Sequence, residues 1–269
     1  MADPNRYAKL IERVFFSRYK KGDQEVPFER EDIVRAADEM GLKLPKNLGD
    51  VIYSFRYRVS LPESVQACAP KGKQWLIRAA GKALYSFDAE VQAVIAPNPL
   101  MAEIKVPDAT PGVIAMYALD DEQALLAKVR YNRLVDIFTG VACYPLQSHL
   151  RTSVAGMGQV ETDEIYVGVD RRGVHYVIPI QAKAGKDRLS VVQIEQDVGM
   201  CAERFPSLVC RPIGAQFMDD GVIALFAFDD TPKGVALLYE KHYHLVPPDQ
   251  LTAEELRSYR ANEPEGPSA

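Results

Sequence analysis

The sequence predicts an α/β fold of the α+β type, in which a small helical module precedes a mixed central sheet flanked by helices. Three patterns support this expectation. Apolar residues recur at helical spacing within the first 57 positions, two strand-like runs joined by a short turn follow near position 75, and strand-like runs alternate with an amphipathic helix after position 160. A chain of 269 residues is long enough for one large domain or two small ones.

The composition is typical of a globular protein without membrane-spanning segments. Apolar residues make up 47% of the chain and charged residues 26%, and no apolar run approaches the roughly 20 residues that span a bilayer. The first 19 residues alternate charged with apolar side chains and lack the core of a signal peptide. We therefore expect a cytoplasmic protein with no membrane partner.

Cysteine usage indicates neither a zinc site nor a disulfide framework. No cysteine pair has the spacing of a metal site, and no histidine lies at such a spacing from a cysteine. A disulfide framework is not expected in a cytosolic chain of this size, so the thiols are predicted to be reduced and buried. The four residues are Cys68, Cys143, Cys201 and Cys210.

Charge is distributed unevenly along the chain, whose net charge is −5. Residues 1–87 contain 16 Lys/Arg against 11 Asp/Glu, whereas residues 88–269 contain 16 against 26. Such asymmetry indicates that the two segments have different roles. A basic module is suited to contact phosphate, and an acidic module can hold metal ions.

The N-terminal segment, residues 1–95, is predicted to contain three helices and a hairpin. Helical spacing favours helices over 6–19 and 29–40, and Gly41 occupies the position of a C-terminal cap. A third helix is predicted to begin at Pro45, because proline is favoured in the first helical position. Strand-like runs at 75–78 and 83–87 then form the hairpin.

This order of elements resembles a winged helix-turn-helix, which implies a DNA-binding domain whose third helix enters the major groove. Eight basic residues lie between positions 43 and 82, with only Asp50 and Glu63 opposing them. The alternative is a small helical domain with a solvated basic face, which packs on the other domain or mediates dimerisation. The candidate DNA contacts are Lys46, Asn47, Ser54, Arg56 and Arg58. The remaining basic residues of the set are Lys43, Lys71, Lys73, Arg78 and Lys82.

Residues 96–117 are predicted to form a linker, because their proline density opposes a long helix. A helix over 120–138 then opens a second domain, residues 118–250, and carries carboxylates in its first turn. Gly140 is predicted to end this helix. Residues 251–269 are expected to form a short helix and a tail.

The most informative segment is a predicted β-hairpin over residues 161–183. Side chains alternate faces along a strand, so Glu161 shares a face with Asp163, and Gln181 shares a face with Lys183. The distances of Asp163 and Gln181 from the glycine-containing turn are equal, so the hairpin places them side by side. A carboxylate, an amide oxygen and a lysine can therefore converge at one point.

These groups suit phosphodiester hydrolysis. Cleavage develops negative charge on the phosphate oxygens, which Mg²⁺, a cation with oxygen ligands, can offset while it orients a water. Asp163 and Glu161 can supply anionic ligands and Gln181 a neutral one, whereas Lys183 can stabilise the phosphate or help to activate the water. Alternatively, Lys183 is an exposed edge-strand lysine and the two acids are a solvated strand entrance.

Residues 118–228 resemble the PD-(D/E)XK nuclease superfamily, whose core runs helix, strand, strand with the metal-binding Asp, (D/E)XK strand, helix, strand. A helix over 190–205 and strands over 211–218 and 222–228 agree with that order. The resemblance implies that Asp163 is the metal-binding aspartate, that Gln181 stands at the variable acidic position and that Lys183 is the motif lysine. The sequence departs from the pattern because Gln181 replaces the usual acid and no proline precedes Asp163.

Further residues gain roles from the same resemblance. Glu122 matches a helix glutamate that many members carry, and Gln193 matches a glutamine that contacts phosphate or supports the ligands. In addition, Lys186 and Arg188 follow the motif and are candidates to contact the phosphate backbone, although a plain charged loop is an equal alternative.

The sequence therefore predicts a Mg²⁺-dependent DNA endonuclease, with Mn²⁺ as a substitute, acting in restriction, phage defence or repair. Cutting both strands would favour a homodimer with two active sites. One alternative is a non-catalytic DNA-binding regulator with a degenerate nuclease-like domain. Another is an acidic scaffold that binds protein partners.

Overall fold

The structure is a computed structural model that describes residues 4–57, 59–81, 83–91, 94–117, 121–185, 187–218, 221–232 and 234–261. Within these ranges the chain forms helices around one large mixed sheet, together with a smaller antiparallel sheet near the N-terminus. The expected α/β class with a mixed sheet flanked by helices is confirmed. No described helix is both long and apolar enough to cross a membrane.

The N-terminal module consists of four helices and a three-stranded antiparallel sheet with strand order β1-β3-β2. Its core is built around Trp75, Phe15 and Phe87, all essentially without solvent exposure. The elements are α1 (Pro4–Arg18), β1 (Glu25–Glu29), α2 (Arg30–Glu39), α3 (Gly49–Tyr57), α4 (Glu63–Gln66), β2 (Gln74–Gly81) and β3 (Leu84–Glu90).

The first two predicted helices and the hairpin are confirmed, but the predicted start of the third helix is wrong. The chain around Pro45 is irregular, and α3 begins at Gly49, where the side-chain oxygen of Asn47 accepts a hydrogen bond from the Gly49 amide at 3.1 Å. An asparagine side chain that satisfies a free amide favours a helix start at that point. Strand β1 and helix α4 were not predicted from the sequence.

The second module contains an eight-stranded mixed sheet with the order β5-β13-β12-β11-β8-β7-β6, in which the short β10 also pairs with β8. Strand β8 is central, antiparallel to β7 and parallel to β11. The strands of this sheet are β5 (Glu103–Pro107), β6 (Ala142–Val154), β7 (Gly158–Val169), β8 (His175–Lys183), β10 (Val209–Cys210), β11 (Ile213–Phe217), β12 (Val222–Thr231) and β13 (Gly234–Val246). Outside it, β4 (Val94–Ile95) pairs antiparallel with β9 (Leu189–Ser190).

Helices pack on both faces of this sheet and cover β8 from each side. Leu125 and Val129 of α6 pack on one side of the sheet, and α8 packs on the other, where Met200 lies with Val177 and Ile165. The helices are α5 (Gly112–Tyr117), α6 (Glu122–Tyr131), α7 (Leu134–Thr139), α8 (Val191–Arg204) and α9 (Ala253–Ala261). Ser190 caps α8, as its hydroxyl accepts a hydrogen bond from the Val192 amide.

The single helix predicted over 120–138 is wrong, because two helices, α6 and α7, occupy its described part. Arg133 adopts a left-handed backbone with φ of 50° and interrupts the helix. Beside it, the Asn132 side chain donates to the Lys128 carbonyl and accepts from the Ala109 amide, which anchors the break. Gly140 ends α7 in a left-handed conformation, as predicted.

The segment interpreted as a linker, residues 96–117, contains α5 and β5. Strand β5 pairs in parallel with β13 and forms one edge of the large sheet. The prolines oppose a long helix there, but they leave a strand of five residues free to pair. Residues 118–120, which include the predicted start of that helix at position 120, lie outside the described residues.

An ionic cluster joins the two modules. Arg78 on β2 donates to both carboxylate oxygens of Glu195 on α8, at 2.6 and 2.9 Å, and also pairs with Asp88 and Glu90. Its acidic partners raise the pKa of Arg78 further above its usual range, although burial opposes them. Arg78 therefore belongs to the module interface and not to a basic surface open to DNA.

Replacing Glu195 by glutamine is expected to lower the free energy of unfolding by about 1–3 kcal/mol, between the values for exposed and buried ion pairs. The side chains of Arg78 and Glu195 are only 23% and 22% exposed, so solvent screens the pair weakly. Urea denaturation measures the effect. Glu254→Gln, an exposed site on α9, is the control. Equal stability of both variants would show that the ion pair does not hold the modules together.

Candidate active site

The candidate site forms where β7 and β8 diverge. Their regular pairing ends at Glu164 and Ile180. Beyond that point the Ala182 amide donates to Oδ2 of Asp163 at 2.8 Å, instead of to a carbonyl on β7. The predicted hairpin is therefore confirmed, and the carboxylate of Asp163 is held in the opening between the two strands.

The ammonium of Lys183 lies in the same opening between β7 and β8, although the residue is only 8% exposed. Its Nζ donates to the Ala182 carbonyl at 2.9 Å and lies 3.7 Å from an oxygen of Glu122, at the start of α6. Burial raises the pKa of Asp163, and the positive charge of Lys183 opposes that rise. The structure thus brings together Asp163, Lys183 and Glu122, three residues that the sequence selected.

The side chain of Gln181 is engaged in a buried hydrogen-bond network. It is 1% exposed, and its Nε2 donates to the Glu161 carbonyl at 2.9 Å and to Asp197 at 3.1 Å. Its Oε1 accepts from Gln193 at 3.2 Å. Both ends of the amide already have partners, so this geometry assigns Gln181 to bridging β7, β8 and α8 and not to the metal-ligand role expected from the sequence.

Asp197 is the residue that sequence reasoning missed. It lies on α8 with no solvent exposure, and its Oδ1 accepts from the Thr162 hydroxyl at 2.6 Å as well as from Gln181. Burial raises the pKa of Asp197 to about 8. Its spacing from Ile194 and Cys201, both on the apolar stripe of α8, is the sequence signal that could have identified it.

We expect Asp197→Asn to remove a pH dependence of stability. Because folding raises the pKa from 3.8 to about 8, the folded state binds a proton that the unfolded state releases between these values. The contribution of Asp197 to the free energy of unfolding of the wild type should therefore be greatest below pH 4. It should fall as the pH rises to 8, by up to about 1.4 kcal/mol per pH unit. Asparagine has no proton to lose, so the variant should gain stability relative to wild type above pH 7.

Thermal unfolding of the two proteins at pH 5 and pH 9 measures this difference, with the exposed Asp229→Asn as control. Parallel pH profiles for wild type and Asp197→Asn would show that Asp197 is ionised in the folded protein throughout.

A cleft of about 840 Å³ opens over the site. Asp163, Lys183 and Glu122 line it on the side of the large sheet, and residues of α3 and of the β2–β3 hairpin line the opposite side. The side chain of Glu161 also borders the cleft, where it pairs with Arg151 at 3.0 Å. The site is therefore located between the two modules.

The described residues proposed to contact DNA do not all border the cleft, whose lining includes Ser54 and Arg56 but not Lys46 or Asn47. Lys46 is exposed, whereas the amide of Asn47 is engaged at the start of α3 by Gly49 and Asp50. Arg56 is half-buried in the cleft wall, close to the half-buried Ser54.

Three further candidates, Lys186, Arg188 and Gln193, follow the motif in the sequence. Arg188 is exposed, whereas Gln193 is buried on α8, where it donates to Gln181. Arg58, Lys82 and Lys186 lie outside the described residues, so their predicted roles have no structural description.

The donor chemistry at Asp163 suits a hard divalent cation. In the described part of the chain, Oδ1 of Asp163 receives no hydrogen bond, and the Ala182 carbonyl and Glu122 present further oxygens around Lys183. No three His, Cys, Asp or Glu side chains among the described residues form a metal-binding group. A cation here would therefore depend on backbone oxygen and water as well as on carboxylates.

No family model, curated protein or solved structure matches this chain. A function must therefore be argued from the chemistry of the site itself.

Proposed function

We propose that this protein is a metal-dependent nuclease that hydrolyses phosphodiester bonds in DNA. The observation that carries the proposal is the convergence of Asp163, Lys183 and Glu122 in a cleft, at the point where two paired strands diverge. The resemblance to the PD-(D/E)XK superfamily selected these three residues from the sequence, together with Gln181 and Gln193.

Each residue has a distinct role in this proposal. The carboxylates of Asp163 and Glu122 and the Ala182 carbonyl would hold a divalent cation, for which Mg²⁺ is the natural candidate and Mn²⁺ a substitute. A bound cation would offset charge on the phosphate and lower the pKa of a water. The ammonium of Lys183 donates hydrogen bonds to the phosphate oxygens as negative charge develops there.

The remaining groups of the site hold these residues in place. Gln181 ties β7 to α8, and the Ala182 amide fixes one oxygen of Asp163. Such support matters because catalytic groups act efficiently only when their positions are held closely.

A cleavage assay tests the proposal. Purified protein is incubated with plasmid, linear duplex and single-stranded DNA in the presence of Mg²⁺, Mn²⁺ or EDTA. We expect cleavage of at least one form with a divalent cation and none with EDTA. Intact substrate in every condition would refute the nuclease proposal.

One observation favours a second candidate, a nucleic-acid-binding protein without nuclease activity. The described residues contain no three-residue metal-binding group, and Gln181 stands where a second acid would strengthen cation binding. Salt-dependent DNA binding without cleavage would support this alternative, because contacts to phosphate release counterions.

The N-terminal module contains four helices and a hairpin within a three-stranded sheet, an order of elements that supports the winged-helix prediction. Its third helix, α3, borders the cleft and does not face away from the second module. We therefore propose that this module forms part of the path along which the substrate reaches the site. This replaces the expectation that α3 enters the major groove of DNA away from the site.

A further inference from the structure

The cleft over Asp163 has the size of a site for a small ligand or a short segment of nucleic acid. Its volume of about 840 Å³ is within the range of about 300–1,000 Å³ for sites that enclose small organic ligands. Such a space accommodates a few nucleotides. The opposite wall is anchored, because Arg78 and Glu195 form a two-bond ion pair between the modules.

A second contact fixes the wall beside the site. The hydroxyl of Tyr57, on α3, donates to Gln196 on α8 at 2.9 Å. Nearby, Leu76 of β2 packs against Val191 and Val192 at the start of α8. The modules therefore meet through a packed interface, and the width of the cleft is set by the fold.

An aromatic side chain lies in this wall with much of its surface exposed. Tyr53 is 41% exposed and lines the cleft. Its ring contacts the edge of Tyr57 at a centroid distance of 4.8 Å and an angle of 63°, and Tyr57 is held by Gln196. Tyr53, an aromatic residue that is braced by Tyr57 and 41% exposed, is suited to stack on an unpaired base.

Positive charge accompanies this ring. Arg56 also lines the cleft, its guanidinium lies 4.8 Å from the centre of the Tyr57 ring, and its buried Nε has no hydrogen-bond partner among the described residues. A groove that combines cations with aromatic rings is typical of proteins that bind single strands, because every base has a π-face. A paired base inside a duplex has no free face to offer.

We propose that the substrate entering this cleft is single-stranded DNA, with a base stacked on Tyr53 and the adjacent phosphate near Arg56. This inference rests on the proposed nuclease function and specifies its substrate. The strand passes between the two modules, so that a phosphate reaches Asp163 and Lys183 while its neighbouring base lies against α3.

Binding without cleavage tests the inference. Fluorescence anisotropy with the full-length protein, in buffer with EDTA, compares a labelled 12-nucleotide single strand with the matching duplex. We expect the single strand to bind at least about tenfold more tightly. We also expect Tyr53→Ala to weaken single-strand binding by about tenfold, since stacking on one base contributes about 1–3 kcal/mol.

Matched variants separate stacking from folding. Tyr53→Phe keeps the π-face and should bind like wild type, whereas Tyr53→Leu retains bulk without a π-face and should resemble Tyr53→Ala. If Tyr53→Ala does not fold, the comparison between Phe and Leu still tests the inference. Tyr131, equally exposed at 41% on α6 but outside the cleft lining, provides the control Tyr131→Ala.

The outcomes distinguish this inference from the nuclease proposal. Equal or tighter binding of the duplex, or unchanged binding by Tyr53→Leu, would overturn the single-strand assignment even if the protein cuts duplex DNA. Tyr53-dependent binding of single strands that are never cut with Mg²⁺ or Mn²⁺ would uphold the assignment and refute the nuclease. Absence of binding to either form would overturn the assignment.

Discussion

Replacement of Asp163 by asparagine is expected to reduce cleavage by about a thousandfold or more. The variant keeps the shape of the side chain and an oxygen that accepts from the Ala182 amide, but it removes the negative charge. Loss of a cation-binding carboxylate forfeits several kcal/mol of transition-state stabilisation. Single-turnover cleavage rates measure the effect, and Mn²⁺ titration should show a parallel loss of affinity.

Asp229→Asn is the matched control for this variant. Asp229 is an exposed carboxylate on β12 of the same sheet and does not line the cleft. Its rate should equal that of wild type. An Asp163→Asn protein that is folded and cleaves at the wild-type rate would place the active site elsewhere.

Replacement of Lys183 by alanine is expected to reduce cleavage by about 100- to 1,000-fold while leaving cation affinity largely intact. In the proposed mechanism the ammonium stabilises charge that develops on the phosphate, and removing one such group commonly has this effect on the rate. The positively charged ammonium of Lys183 is not a metal ligand, so the dissociation constant for Mn²⁺ should stay within a few-fold of the wild-type value.

The control for Lys183 is Lys241→Ala, an exposed lysine on β13. A second outcome is informative, because Lys183 lies 3.7 Å from Glu122 and pairs with the Ala182 carbonyl. If Lys183→Ala loses both cleavage and Mn²⁺ binding while remaining folded, the lysine positions the carboxylates and does not act on the phosphate.

Local patterns were sufficient to predict the central hairpin. The strand-like apolar runs on both sides of the turn at Gly173 set the relation between Asp163 and Gln181, because a short turn leaves little freedom in register. The helix that follows was also predictable, since Ser190 caps it and apolar residues recur along one face.

Features that depend on distant contacts were not predictable. The engagement of Gln181 requires Gln193 and Asp197, which α8 brings to it only in the folded chain. Arg78 was grouped with basic residues of a DNA surface, but Glu195 neutralises it across the module interface. The spacing of residues along the sequence does not predict which acidic side chain pairs with a given arginine in the folded chain.

Strands in which apolar and polar residues alternate only weakly were not predicted, for a related reason. Strand β6 is at the edge of the sheet and is mostly exposed, so its apolar residues do not alternate clearly with polar ones. Strand β13 is only partly buried along its first half and carries a register shift opposite Phe228. Both are held chiefly by pairing with their neighbours, which local sequence does not reveal.

The location of a bound cation tests the central claim most directly. Crystals of the protein grown with Mn²⁺ would be measured by anomalous diffraction. We expect a peak within about 2.2 Å of Oδ1 of Asp163, with the Ala182 carbonyl as a second ligand, and no peak in crystals of Asp163→Asn. A peak at another position in a protein that cleaves DNA, or unchanged occupancy in the variant, would contradict the assignment of this site.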